Sequence, residues 1–68
     1  MTIGEKLSLL RGSKSRSEVA KAIGVSVSAI AMYELCDRVP RDPIKLRIAN
    51  YYKTTVEEIF FDKQVHEL

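Results

Sequence analysis

Apolar side chains recur at helical spacing along this chain, and short polar stretches cut the pattern into five segments. The first opens with Thr2-Ile3-Gly4-Glu5, where a threonine and a glutamate three residues on can satisfy each other's backbone N–H groups. Ile3, Leu7 and Leu10 then fall on one helix face, and Gly12 marks the expected stop. Ser15-Arg16-Ser17-Glu18 repeats the capping pattern and opens a second helix, with Val19, Ala20 and Ile23 inside and Gly24 closing it. Ser26 can cap a third helix, expected over 26–37, with Ile30, Tyr33 and Glu34 turned inward. Asp42-Pro43 starts a fourth, because proline at the first helical position loses no hydrogen bond; Leu46, Ile48, Ala49 and Tyr52 continue it inward. Thr55-Val56-Glu57-Glu58 forms a third capping box ahead of a short helix holding Ile59 and Phe60. No run alternates with period two. The pattern therefore predicts an all-α fold, a compact five-helix bundle over residues 1–61 with 62–68 as a short C-terminal tail.

Length and composition narrow the picture. A chain of 68 residues holds one domain, near the lower size limit for a core without covalent staples. Cys36 is the only cysteine and His66 the only histidine, so neither an internal disulfide nor a zinc site can be assembled. A core of this size rarely supplies more than about 3–5 kcal/mol, which makes a homodimer an expectation. No signal peptide and no bilayer-spanning run is visible, so no membrane association is expected and a cytoplasmic location is. The net charge is only +2, but residues 1–53 carry ten basic and five acidic side chains while 54–68 carry one and four. A basic body with an acidic end suits a protein that turns one face to a polyanion, although an ordinary solvated surface is compatible with the same totals.

An enzyme is not expected. The chain has no Ser/His/Asp set, no carboxylate pair in an apolar setting, no glycine-rich phosphate loop and no cluster of metal ligands, so neither cofactor nor metal is implied. Cys36, beside Asp37, has no reason to be an activated thiolate and is expected to be inert and partly packed. Of the three tyrosines, Tyr33 and Tyr52 fall at core positions and Tyr51 is expected to be free.

The second and third helices, joined through Gly24, have the spacing of a helix-turn-helix. Glycine tolerates the positive φ of such a turn, Ala20 is small where the helices cross, and Val25 and Ile30 can plug the angle between them. By the stretches "IGEKLSLLR", "SEVAKAIGVSVSAIAMYE", "VPRDPIKLRIANYY" and "TTVEEIF", which together span essentially residues 3–60, the chain resembles the Cro/C1-type helix-turn-helix regulators (the XRE family). The resemblance implies the lambda-repressor-like five-helix fold. It also implies sequence-specific binding of a double-stranded DNA operator by a dimer, with repression of transcription as the expected outcome. Residue by residue, it implies that Val27, Ser28, Ala31 and Met32 face base edges. Lys14, Ser15, Arg16, Arg38 and Arg41 would meet phosphates, with Lys21 and Lys45 behind them. Arg11 and Glu34 match a structural ion pair between the first and third helices. The chain departs from the usual pattern in a short link from Arg11 to Ser15, Arg16 in place of glutamine, Leu35-Cys36 in place of Asn-Gly, and Asp37 in place of a basic or polar residue. A left-handed glycine cap is thus unavailable to the third helix.

The outward face of the third helix raises a second reading. Val27, Ala31 and Leu35 form one outward stripe and Ser28 with Met32 its neighbour, so no bidentate Arg–guanine or Gln–adenine contact is possible from this helix. Ser28 and methyl contacts to thymine remain, which predicts phosphate-dominated, A·T-leaning and partly shape-based selection. Alternatively, the apolar patch docks a protein such as an antirepressor or toxin, making the chain a protein–protein interaction module. The two-fold interface is expected to involve Leu35, Phe61 and Val65; a frayed tail with incidental apolar residues is the competing account.

Overall fold

The computed structural model describes residues 1–61. Five helices follow in order: α1 (Ile3–Arg11), α2 (Arg16–Ile23), α3 (Val27–Glu34), α4 (Asp42–Tyr51) and α5 (Val56–Phe60), with no strand among the described residues. α3 packs on α1 and α2, α2 on α4, and α5 on both α4 and α1, so the helices close a ring around one core. Every helix supplies that core: Leu7 from α1, Val19, Ala20 and Ile23 from α2, Ile30 and Tyr33 from α3, Ile48 and Ala49 from α4, and Ile59 and Phe60 from α5.

The helix starts follow the capping pattern in part. Thr2 and Glu5 close a full capping box, with Thr2 Oγ1 accepting from the Glu5 N–H and Glu5 Oε1 from the Thr2 N–H. Ser15 and Thr55 each accept from the backbone three residues on, but the reciprocal bonds are not formed; Glu58 takes the Thr54 hydroxyl instead. Ser26 caps α3 through the Ala29 N–H. α4 begins one residue earlier than Pro43 suggests: Arg41 is the cap residue, without a side-chain bond, and Asp42 is the first helical residue.

Two leucines expected inside are exposed. In α1 the covered line runs through Gly4 and Leu7 to half-buried Arg11, which leaves Leu10 outside. In α4 the inward stripe runs through Ile44, Ile48 and Ala49 to Tyr52, and Leu46 lies about 200° around the helix from Ile44. Gly4 explains the tight seat of α1. A Cβ built there would lie 2.0 Å from the carbonyl oxygen of Glu34, so the two backbones touch at the end of α3.

α3 stops at Glu34, three residues short of the expected end. The N–H of Asp37 donates to the Met32 carbonyl and that of Cys36 to the Tyr33 carbonyl, which is the Schellman pairing. Its left-handed position, normally glycine, is filled by Cys36 at φ 63°. α4 ends the same way, with Lys53 at φ 58° and the Thr54 N–H on the Ala49 carbonyl. Cys36 is exposed rather than partly packed.

Candidate nucleic-acid interface

α2, the turn and α3 form the bihelical unit. Gly24 adopts φ 91° and ψ 36°, Val25 is half-buried behind it, and buried Ala20 lets α3 approach α2. The outer face of α3 presents Val27, 47% exposed, and exposed Ser28 at its first turn, while Ala31 and Met32 are half-buried. Leu35 is exposed just past the helix end. α3 has no acidic residue in its first turn, and its single carboxylate, Glu34, is held by cations.

That carboxylate joins three elements. Arg11 at the end of α1 donates from Nε to Glu34 Oε2 at 2.7 Å and from Nη2 to Oε1 at 3.1 Å. Arg16, the first residue of α2, donates from Nε to the same Oε1 at 3.1 Å. The Glu34 side chain is 4% exposed, whereas that of Arg16 is 41% exposed. Burial alone would push the Glu34 carboxyl up, but the hydrogen bonds from Arg11 and Arg16 outweigh it and hold the group below its ordinary value. The same bond to Glu34 raises Arg11 against the opposing effect of its burial. Tyr52 nearby is pushed up to about 12 by burial first and by the Glu34 charge second.

The remaining expected rim residues are placed as follows. Ser15 caps α2 and is exposed, as is Lys14 just before it. The Lys14 carbonyl accepts from Arg11 Nη1 at 2.7 Å, and its ammonium lies 5.0 Å from the centre of the Tyr51 ring. Tyr51 is therefore not free: it is half-buried, stacks edge-on with Tyr52 at 5.1 Å and receives Lys14. Arg38 and Arg41 are exposed in the segment between α3 and α4, with no ion pair among the described residues. Lys21 is exposed near the end of α2. Lys45 faces another way, pairing with Asp42 at 3.6 Å and lying 5.5 Å and 5.3 Å from the rings of Phe60 and Phe61. Phe61 is half exposed, and Val65 lies outside the described residues.

Three of these features went unseen in the sequence: the second arginine on Glu34, the lysine on Tyr51 and the backbone contact at Gly4. The first had a visible signal, since an arginine replaces the usual glutamine at the start of α2. The others depend on the distances between helices.

Among the described residues, no helix is long and apolar enough to cross a membrane. No curated protein matches the chain, and no solved structure does. The helix-turn-helix family model matches residues 8–59, which covers most of the chain and contains the whole bihelical unit and its flanking cations from Arg11 to Arg41. This is a regulatory DNA-binding family rather than an enzymatic one. Taken with the five-helix architecture, the match identifies the chain as a member of the helix-turn-helix family, a DNA-binding domain of the Cro/C1 type.

Proposed function

We propose that the protein represses transcription by binding a double-stranded operator as a homodimer, with α3 in the major groove and a cationic rim on the phosphates on either side. The single observation that carries this reading is the charge arrangement around α3. The only carboxylate on that helix is neutralised by two arginines, while Arg38 and Arg41 stand exposed beside it without an ion pair among the described residues. A helix entering a polyanionic groove is favoured by this combination, because an open carboxylate repels the phosphates that the arginines attract; exposed Asp37, next to Arg38, is the one charge at the end of α3 that works against it. Val27, Ser28, Ala31 and Met32 supply one hydroxyl and several methyl groups to the bases. Selection therefore rests on thymine methyl contacts and duplex shape more than on bidentate hydrogen bonds.

Binding to a pool of random duplexes at two or more salt concentrations tests the proposal. Affinity falls steeply with salt, and Arg38→Ala and Arg41→Ala each make the dependence shallower by about one unit in the logarithmic slope. Exposed Val27 and Leu35 favour the second reading, a protein-docking surface on α3. Duplex binding that is absent or indifferent to salt would overturn the first reading and favour the second.

A further inference from the structure

We infer that Glu34 is a positioning residue for DNA binding, because it holds the Arg16 guanidinium by one edge and leaves the other edge free for a phosphate. The inference rests on the DNA-binding reading above and goes beyond an ion pair that only ties α1 to α3.

The two arginines on Glu34 are committed to different extents. Arg11 uses Nε and Nη2 on the carboxylate and Nη1 on the Lys14 carbonyl, and its side chain is mostly covered. Such a guanidinium has little left to offer a ligand. Arg16 uses only Nε, and neither of its Nη groups has a hydrogen-bond partner among the described residues. Four N–H donors on one planar group thus remain, in a side chain 41% exposed at the first residue of α2. An arginine oriented in this way meets a phosphate with two parallel hydrogen bonds, and the rotamer freedom normally lost on binding has been removed beforehand. A lysine could not reproduce it. An ammonium directed at Glu34 has no second planar edge to present.

Glu34 also acts at longer reach. Through Arg11 it fixes the carbonyl of Lys14, whose ammonium is held over Tyr51. One buried carboxylate at the end of α3 therefore holds both the Arg16 guanidinium and, through Arg11, the backbone that leads into α2. Electrostatics and geometry make opposite demands here, and that opposition makes the role measurable. Removing a negative charge near DNA should by itself strengthen binding. Removing a positioning group should weaken it.

The full chain and its variants Arg16→Lys, Arg16→Gln and Glu34→Gln are titrated with random-sequence duplex across a salt series, with folding checked by circular dichroism. Arg16→Lys keeps the charge and the salt slope but loses affinity, on the order of tenfold. Arg16→Gln loses affinity and about one unit of slope as well. Glu34→Gln binds several-fold more weakly despite its extra net positive charge, and combining it with Arg16→Gln costs less than the two single effects together. Arg16→Lys binding as tightly as the parent, or folded Glu34→Gln binding more tightly, overturns the inference while leaving DNA binding intact. Should Glu34→Gln fail to fold, Arg16→Lys decides alone. A parent chain that does not bind duplex at all overturns the DNA-binding reading and this inference with it.

Discussion

Gly4 and Glu34 meet where the backbones of α1 and α3 touch, and each sets a different limit on the molecule. A methyl group at position 4 has nowhere to go, because it would strike the backbone of Glu34, which cannot swing aside, as well as the Cys36 Sγ. Gly4→Ala must therefore push α1 off α3. We expect a loss of at least about 2 kcal/mol in chemical denaturation, despite the higher helix propensity of alanine. Glu34 sets a limit through protonation. Its folded value lies below the ordinary 4.5, so the stability it contributes is present in full above that pH and is lost as the pH falls through the folded value. Glu34→Gln should flatten this part of the acid limb of the stability curve, and an unchanged limb would show that the carboxylate is not what titrates there. Tyr52 acts with the opposite sign. Its stabilisation is complete below the ordinary 10.0 and disappears as the pH rises towards about 12, a loss that Tyr52→Phe should abolish.

At the scale of the helices, the ends are more informative than the middles. α3 and α4 both finish in Schellman turns whose left-handed position is held by a side-chain-bearing residue, Cys36 in one and Lys53 in the other. A non-glycine residue in this conformation costs about 1–2 kcal/mol, partly offset by the greater backbone entropy that glycine loses on folding. Cys36→Gly and Lys53→Gly should each raise stability by roughly 0.5–1 kcal/mol, measured as a shift in denaturation midpoint at constant slope. Gly24→Ala should do the reverse, since its φ of 91° is unfavourable for any side chain. The same helices show what the sequence made legible. Five helices and their order could be read, and so could the capping residues of four of them, Thr2, Ser15, Ser26 and Thr55, because capping is local chemistry; α4, capped by Arg41 without a side-chain bond, began one residue off. Leu10 and Leu46 could not be placed correctly, because periodicity gives a face but not its width. That width is set by which neighbours pack there, and in α1 the position beside Leu10 is taken by Arg11 reaching for Glu34. On α3, Val27 and Ser28 are exposed as the 3.6-residue spacing predicts, whereas Ala31 and Met32, expected on the same outward face, are half-buried. The hold of Arg16 on Glu34 left only the trace of an arginine in place of the usual glutamine, and the capture of Lys14 by Tyr51 left none, since both contacts depend on how the helices pack.

For the molecule as a whole, one domain with so few exposed cations around α3 offers a limited number of phosphate contacts, and a two-fold pair would double them. Phe61 is the apolar residue we propose for such a pairing. It is half exposed immediately after α5, and Lys45 lies against its ring, so a partner surface there would meet an aromatic face already flanked by a cation. Leu35, exposed beyond α3, would add apolar area if it faces the same axis. Two α3 helices related by that axis would sit about 34 Å apart and address half-sites one helical turn apart. A duplex whose two half-sites are moved apart by about half a turn should then bind far more weakly than the same half-sites at full-turn spacing, because the second α3 is presented to the wrong side of the helix. Phe61→Ala should leave the fold unchanged, as the side chain is not part of the core, while it weakens self-association and removes most of the dependence on spacing. Sedimentation at micromolar concentration checks the first effect and gel shifts on the two duplexes the second. A Phe61→Ala protein that still sediments as a dimer places the two-fold contact elsewhere, and a parent protein indifferent to half-site spacing binds as independent copies.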